Sequence, residues 1–198
     1  MISNESVKQY IDLEIAVLKQ LDISTIIELM STLDAARLRN ATVYIFGNGG
    51  SASTASHFAN DFNKGLSEHL DRPFRFVCLN DNIATIMAIA NDISYDEIFT
   101  FQLRGKLTKE DIVIGISGSG SSRNVIRAIE YAKAEGARTV GLTGFEGGAL
   151  ARTVDLSINI PVMSMQVTED VHLILDHLMM AVLYKTLCGI DHIKEKSE

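Results

Sequence analysis

The spacing of apolar positions changes along the chain. Residues 3–21 place Val7, Tyr10, Ile11, Ile15 and Leu18 at helical intervals. Residues 22–39 place Ile26, Ile27, Met30, Leu33 and Leu38 on one side of a second helix. Each stripe could cover the rest of the chain or a second subunit. From residue 42 the helical period is lost. Residues 42–47 (TVYIFG) form a short, β-branched apolar run that stops at glycine, the mark of a buried strand. Similar runs fall at 74–79, 112–116, 139–142 and 156–160, with helical stretches at 53–64, 83–90, 95–103, 122–135, 147–151 and 168–187. Five strands alternating with helices predict an α/β fold, a parallel sheet wrapped on both faces. No linker, repeat or low-complexity tract interrupts it. One domain is therefore expected over 1–198, with 1–40 as its N-terminal helices.

Composition narrows the chemistry. A chain of 198 residues, 46% hydrophobic and 22% charged, has enough apolar material for one sizeable core. Its net charge of -7 excludes a general nucleic-acid binder, which needs a basic stripe. The polar start MISNESVKQY has no apolar signal core, and no uninterrupted apolar run reaches the ~18 residues of a membrane span. No membrane partner and a cytoplasmic location are the expectation. Cys78 and Cys188 lie far apart in apolar runs and are expected to be buried thiols rather than a disulfide.

Ligands of such a sheet sit beyond the carboxyl ends of its strands, where two turns have unusual composition. Gly47-Asn48-Gly49-Gly50-Ser51-Ala52-Ser53 follows the first strand. Its glycines let the backbone approach an anion, and the next helix aims free N–H groups and its positive dipole end at the same spot. A tight turn that needs glycine for geometry alone is the plainer alternative. Ser53 stands where a dinucleotide fingerprint has its third glycine, and the GK[ST] of a P-loop is missing, so no nucleotide cofactor is expected. The second turn, Ser117-Gly118-Ser119-Gly120-Ser121-Ser122, precedes a helix opening at Arg123-Asn124. A serine N-cap would use one hydroxyl and leaves the other three unexplained. Four hydroxyls at a helix N-terminus suit a phosphate dianion. The run holds no Lys or Arg, which suits a phosphate ester better than magnesium–triphosphate chemistry.

Two pairs could carry acid–base or metal chemistry. His57 and Asp61 are spaced i, i+4 on one helix face, and Glu169 and His177 lie close to two turns apart on the last helix. Together they could form a tetrahedral divalent site. Taken separately, the first is an ordinary side-chain pair, and Glu169 is a dipole partner near a helix start. His172, off that face, is expected in the core or at an interface. His69 and His192 are expected in exposed polar segments. Met163, Met165, Met179 and Met180 read as packing residues.

The stretches FGNGGSASTASHFA, AIANDISYDEIF, DIVIGISGSGSSRNVIRAIEYAK, VGLTGFEGG and TEDVHLILDH together resemble the sugar-isomerase (SIS) domain family, most nearly its phosphoheptose isomerases. The similarity runs from Val7 to Leu187. The resemblance implies a flavodoxin-like three-layer sandwich and a homotetramer with sites between subunits. It also implies a phosphosugar substrate and, in many members, one zinc ion per subunit. Candidate substrate contacts are then Asn48, Gly49, Gly50 and Ser51 in the first turn and Ser117, Ser119, Ser121 and Ser122 in the second, with Asn82 and Asp92 beyond them. The family's zinc ligands or catalytic groups fall on His57, Asp61, Glu169 and His177. This chain departs from the pattern at Asp61 (usually Glu), Gly65 (Arg), Asn82 (Asp), Gly118 (Thr), Gln166 (Asp) and Glu169 (Gln).

The implied reaction interconverts sedoheptulose 7-phosphate and a heptose 7-phosphate through a cis-enediol. Glu169 or Asp61 would be the base, with His177 as its acid–base partner. Two other outcomes stay open. One is a non-catalytic SIS protein, either a scaffold that associates with a replication initiator or a phosphosugar-sensing regulator. The other is an isomerase of a different phosphosugar. The presence of all four ionisable groups favours an enzyme.

Overall fold

The computed structural model describes residues 3–193; residues 1–2 and 194–198 of the expected 1–198 domain lie outside them. Two capped helices open the chain. Ser3 accepts the Ser6 N–H at the start of α1 (Asn4–Leu18), and the Asp22 carboxylate accepts the N–H groups of Ser24 and Thr25 at the start of α2 (Ile23–Leu38). The alternation of strand and helix follows: β1 (Val43–Gly47), α3 (Gly50–Asn60), β2 (Phe76–Cys78), α4 (Ile83–Asp92), α5 (Thr100–Leu103), β3 (Ile112–Ser117), α6 (Arg123–Ala134), β4 (Arg138–Gly144), α7 (Gly148–Thr153), β5 (Leu156–Ile160) and α8 (Met165–Leu183).

The strands pair in parallel in the order β2-β1-β3-β4-β5, a flavodoxin-like order. Strand alternation divides the apolar residues between two layers. Val43, Ile45, Ile112, Ile114 and Ile116 join one cluster with α2, α3 and α8, while Tyr44, Phe46 and Val113 join the other with α4, α5, α6 and α7. Burying both faces explains why these strands read as continuous apolar runs. The edge strand β2 is shorter than the predicted 74–79 and pairs only with β1.

Several elements differ from the sequence reading. The helix predicted at 53–64 is α3 continued by a π turn, Asp61–Gly65, and a 3₁₀ turn, Leu66–His69. Phe62 anchors the π turn by stacking on Phe76 with ring centroids 4.6 Å apart. The stretch 95–103 is a 3₁₀ turn, Tyr95–Glu97, followed by the single turn of α5. The last helix starts earlier, at Met165, and its end, Tyr184–Cys188, is a second π turn. Helix α2 packs on the domain through Ile26, Leu29, Met30 and Leu33, but Ile27 and Leu38 of its predicted stripe are exposed. Of α1 only Val17 is buried. Both cysteines are free; Cys78 is buried as expected, whereas Cys188 is half-buried. Residues Met165–Cys188 are long and apolar enough to cross a membrane by length and composition alone. Here Val167, Val171, Leu175 and Met179 pack into the core beneath the sheet.

Candidate active site at the strand-order reversal

Strands β1 and β3 lie side by side, and the chain leaves them toward opposite edges of the sheet. The turns that follow them therefore flank one crevice at the carboxyl ends of the strands. A cavity of about 260 Å³ opens there, lined by Asn48, Gly49, Gly50, Ser51, Ser117, Gly118, Ser119, Ser122, Met165 and Glu169, among others. Gly49 has φ +57°, the left-handed conformation the turn needs before α3.

Two helix N-termini face this cup without side-chain caps, α3 after Gly49 and α6 after Ser122. Their free N–H groups are available to an anion. The simple N-cap role fails for Ser122: its hydroxyl receives the Ser117 Oγ–H at 3.0 Å and bonds no α6 amide. Ser121 is the serine that turns away, its Oγ donating to the Ser119 carbonyl at 3.2 Å. No Lys or Arg lines the cup among the described residues, and the adjacent Arg123 is exposed and pairs with Asp96 at 3.0 Å.

The other expected contacts are placed differently. Asn48 lines the cup, but its amide is engaged by Asn124 and by the hydroxyl of Tyr95. Asn82 caps α4 by accepting the Thr85 N–H at 3.0 Å, and Asp92 ends that helix and accepts from Asn91 at 2.8 Å. Both are exposed, and neither reaches the cup of its own chain. Met165, expected as packing, forms part of the cup wall.

Glu169 falls five residues into α8, not in its first turn, so it is not a dipole partner of its own helix. Its carboxylate instead lies against Gly50 at the start of α3, where any Cβ would overlap it. Two turns further along both helices, His57 on α3 meets His177 on α8, with Nε2 atoms 3.0 Å apart. Helices α3 and α8 therefore run side by side in the same direction, both leading away from the cup by roughly 10–12 Å at 1.5 Å per residue. Asp61 Oδ2 lies 3.4 Å from His57 Nε2 and 3.9 Å from His177 Nε2. The π turn that begins at Asp61 widens the helix there, a distortion common at functional sites.

The fourth member of this group is Asp176 rather than the expected Glu169. One ligand atom from each of His57, Asp61, Asp176 and His177 lies within 4.8 Å of all the others. The helix carries Glu169 two turns toward the cup, whereas Asp176 precedes His177 directly. Asp176 is fully buried, and burial, with Asp61 beside it, pushes its carboxyl up to about 8. His172 is also buried, as expected of a core residue; its Nε2 meets the Thr143 carbonyl at 3.2 Å, and burial pushes its imidazole down to about 4. His69 and His192 are exposed. Sequence reasoning missed Asp176, Asn124 and Met165, although each is adjacent or close to a residue it had singled out.

The SIS-domain family model matches residues 9–144. Over 176 residues the chain is 38% identical to the phosphoheptose isomerase of Thermodesulfovibrio yellowstonii, covering 88% of this chain and 87% of that one. It is 32% identical to a probable phosphoheptose isomerase of Thermoplasma acidophilum, covering 89% and 96%. Among solved structures, the phosphoheptose isomerase of Neisseria gonorrhoeae superimposes with a TM-score of 0.83 at 26% identity, covering 90% of this chain and 97% of that one.

Proposed function

The chain belongs to the SIS-domain family, in its phosphoheptose isomerase branch, and we propose that it is an aldose–ketose isomerase of sedoheptulose 7-phosphate. The observation that carries the reading is the serine-lined cup between two uncapped helix N-termini with the Glu169 carboxylate in its wall. The phosphate dianion sits in the cup, held by Ser51, Ser117, Ser119 and Ser122 and by backbone N–H groups. The sugar runs from the cup along α3 and α8, past Glu169 in the cup wall.

Glu169 takes the proton from the carbon beside the carbonyl. The C–H pair becomes the C=C bond of the enediol, and the carbonyl oxygen gains the charge. As the proton returns from Glu169 to the neighbouring carbon, the C=C pair forms the new C–H bond, and the hydroxyl on the first carbon gives its proton to His177 as its C–O becomes the new carbonyl. The oxygen lies toward His177, whose imidazole can supply it with a proton. His57, Asp61 and His177 offer the nitrogen and oxygen donors that a zinc ion accepts. Zinc, when bound, supplies Lewis-acid polarisation of the carbonyl.

Assembly into a tetramer with shared sites belongs to the same proposal. Val7, Ile11 and Ile15 of α1 and Ile83 and Met87 of α4 form apolar surfaces left open on the single chain. Asn82 and Asp92, at the two ends of α4 and outside the cup of their own chain, would in this reading serve a neighbour's cup. A cytoplasmic location goes with this reading.

The test is incubation of the purified protein with sedoheptulose 7-phosphate, with zinc and with chelator, beside pentose 5-phosphates and hexose 6-phosphates. Turnover of the heptulose phosphate, and its loss in Glu169→Ala and in His177→Ala, are expected. No turnover at any metal level would instead favour a non-catalytic phosphosugar-binding protein. Preferred turnover of a shorter sugar would move the substrate.

A further inference from the structure

Asp176 is a buried carboxyl that the reaction above does not use. Other buried acids have partners. Glu97 is met by Arg104 and Arg127, and Asp111 accepts from the Thr42 N–H and from the N–H and hydroxyl of Thr108. Asp176 is as deeply buried, yet neither of its oxygens has a hydrogen-bond partner among the described residues. Its nearest ion-pair contact is His57 Nε2, 3.9 Å from Oδ2, too long for a hydrogen bond. Buried polar groups are almost always satisfied, and an ionised carboxyl in such a place needs a positive charge beside it.

The surroundings indicate what kind of charge. Asp176 points into the group in which His57 and His177 present the same ring atom, Nε2, beside Asp61. Two imidazole nitrogens and two carboxylate oxygens suit a borderline divalent ion such as zinc. The other carboxylate of α8, Glu169, lies against Gly50 in the wall of the phosphate cup.

We propose that Asp176 completes the divalent-metal site with His57, Asp61 and His177, and that Glu169 stays outside it. The division resolves a conflict in the proposed chemistry, because a carboxylate bound to a metal is a poor base and Glu169 is left free to move the proton. The role given to Glu169 rests on the isomerase reading; the ligand role of Asp176 does not.

Zinc binding to the chelator-stripped full chain separates the two roles. It is read by titration calorimetry and by the rise in melting temperature on adding zinc. The unmodified protein is expected to bind zinc and melt higher with it. Asp176→Asn should lose at least about tenfold in affinity, the loss that removing even a contact supporting a ligand typically brings. It should also lose the zinc-dependent rise in melting temperature. Glu169→Ala should keep both, while losing exchange of the substrate hydrogen with deuterated water. Asp176→Leu, which removes the carboxyl without opening a void, should melt no lower than the metal-free parent and gain nothing from zinc.

Zinc binding by Asp176→Asn as tight as the parent's overturns the proposal, as does a loss in Glu169→Ala as steep as in Asp176→Asn. Turnover by a parent that binds no zinc overturns the metal site and leaves the isomerase reading standing. Zinc held through Asp176 in a protein that turns over no phosphosugar does the reverse.

Discussion

Asn48 and Asn124 donate to each other, the Nδ2 of each lying 2.9 Å from the Oδ1 of the other. The reciprocal pair joins the turn after β1 to the first turn of α6, the two halves of the serine-lined cup. Tyr95 adds its hydroxyl to the Asn48 Oδ1 at 2.9 Å. Asn124 is buried and its oxygen also accepts the Val125 N–H, so the anchor is the more rigid partner. Asn124→Ala should therefore let the first turn drift from the second. KM for the phosphosugar is expected to rise about tenfold with a smaller change in kcat, and unfolding free energy to fall by about 1–3 kcal/mol from the unpaired amide. Steady-state kinetics and urea unfolding check both. An unchanged KM would show that Asn48 keeps its place without its partner.

Ser122 tests whether the serines bind or merely cap. Its hydroxyl bonds no α6 amide and only receives the Ser117 Oγ–H, so Ser122→Ala should cost no more than about 1 kcal/mol of stability. If the hydroxyl meets a phosphate, a charge-assisted hydrogen bond of about 1.5–3 kcal/mol is lost, or roughly ten- to a hundredfold in affinity. Calorimetric titration with the substrate phosphate, beside thermal unfolding, distinguishes the two. Lowered stability with intact affinity would return Ser122 to a structural role.

At Gly118, where the SIS resemblance implies threonine, the structure shows what fills the space. A Cβ at 118 would lie 2.5 Å from the Met165 sulfur. Gly118→Thr should therefore push Met165 into the cup and weaken substrate binding. The double variant Gly118→Thr with Met165→Ala should recover most of the affinity, because alanine clears the collision. The coupling is read from the four affinities of a double-mutant cycle; additive effects would mean that the two residues do not share that space.

His172 sets a pH dependence. The unfolded chain protonates this imidazole near its ordinary 6.5, the folded chain only near 4. Between those values the unfolded state binds more protons, so this residue's contribution is complete above pH 6.5 and is lost as pH falls toward 4. Asp176 acts in the opposite sense, because its raised value makes the folded state hold a proton that the unfolded state has released. Comparing urea midpoints at pH 7 and pH 4.5 for the parent and His172→Leu isolates the imidazole. The variant should lose less stability on acidification. An equal loss would place the titration elsewhere.

Much of the fold and the serine-lined cup was legible in the chain, because the relevant information is local. Buried strands such as 112–116 show as apolar runs, helices as a change of period, and the cup as glycine and serine at positions where a strand turns into a helix. Neighbouring residues along the chain determine all three. Which serines line the cup was less legible: Ser121 and Ser119 look alike in sequence, and only the fold of the turn sends one hydroxyl back to the other's carbonyl.

The histidine–carboxylate end of the site was decided by tertiary structure. His57 and Asp61 are a turn apart on one helix, and the sequence could pair them. It could not say which carboxylate of α8 would face them, because Glu169 and Asp176 are almost two full turns apart and differ little in direction about the helix axis. That choice depends on how far α8 is shifted along α3, and the shift comes from packing between residues more than a hundred positions apart. The chain's local pattern therefore determined the elements and their turns. The sliding of one helix against another determined which side chains meet, since helix periodicity repeats the same face every few residues and carries no register of its own.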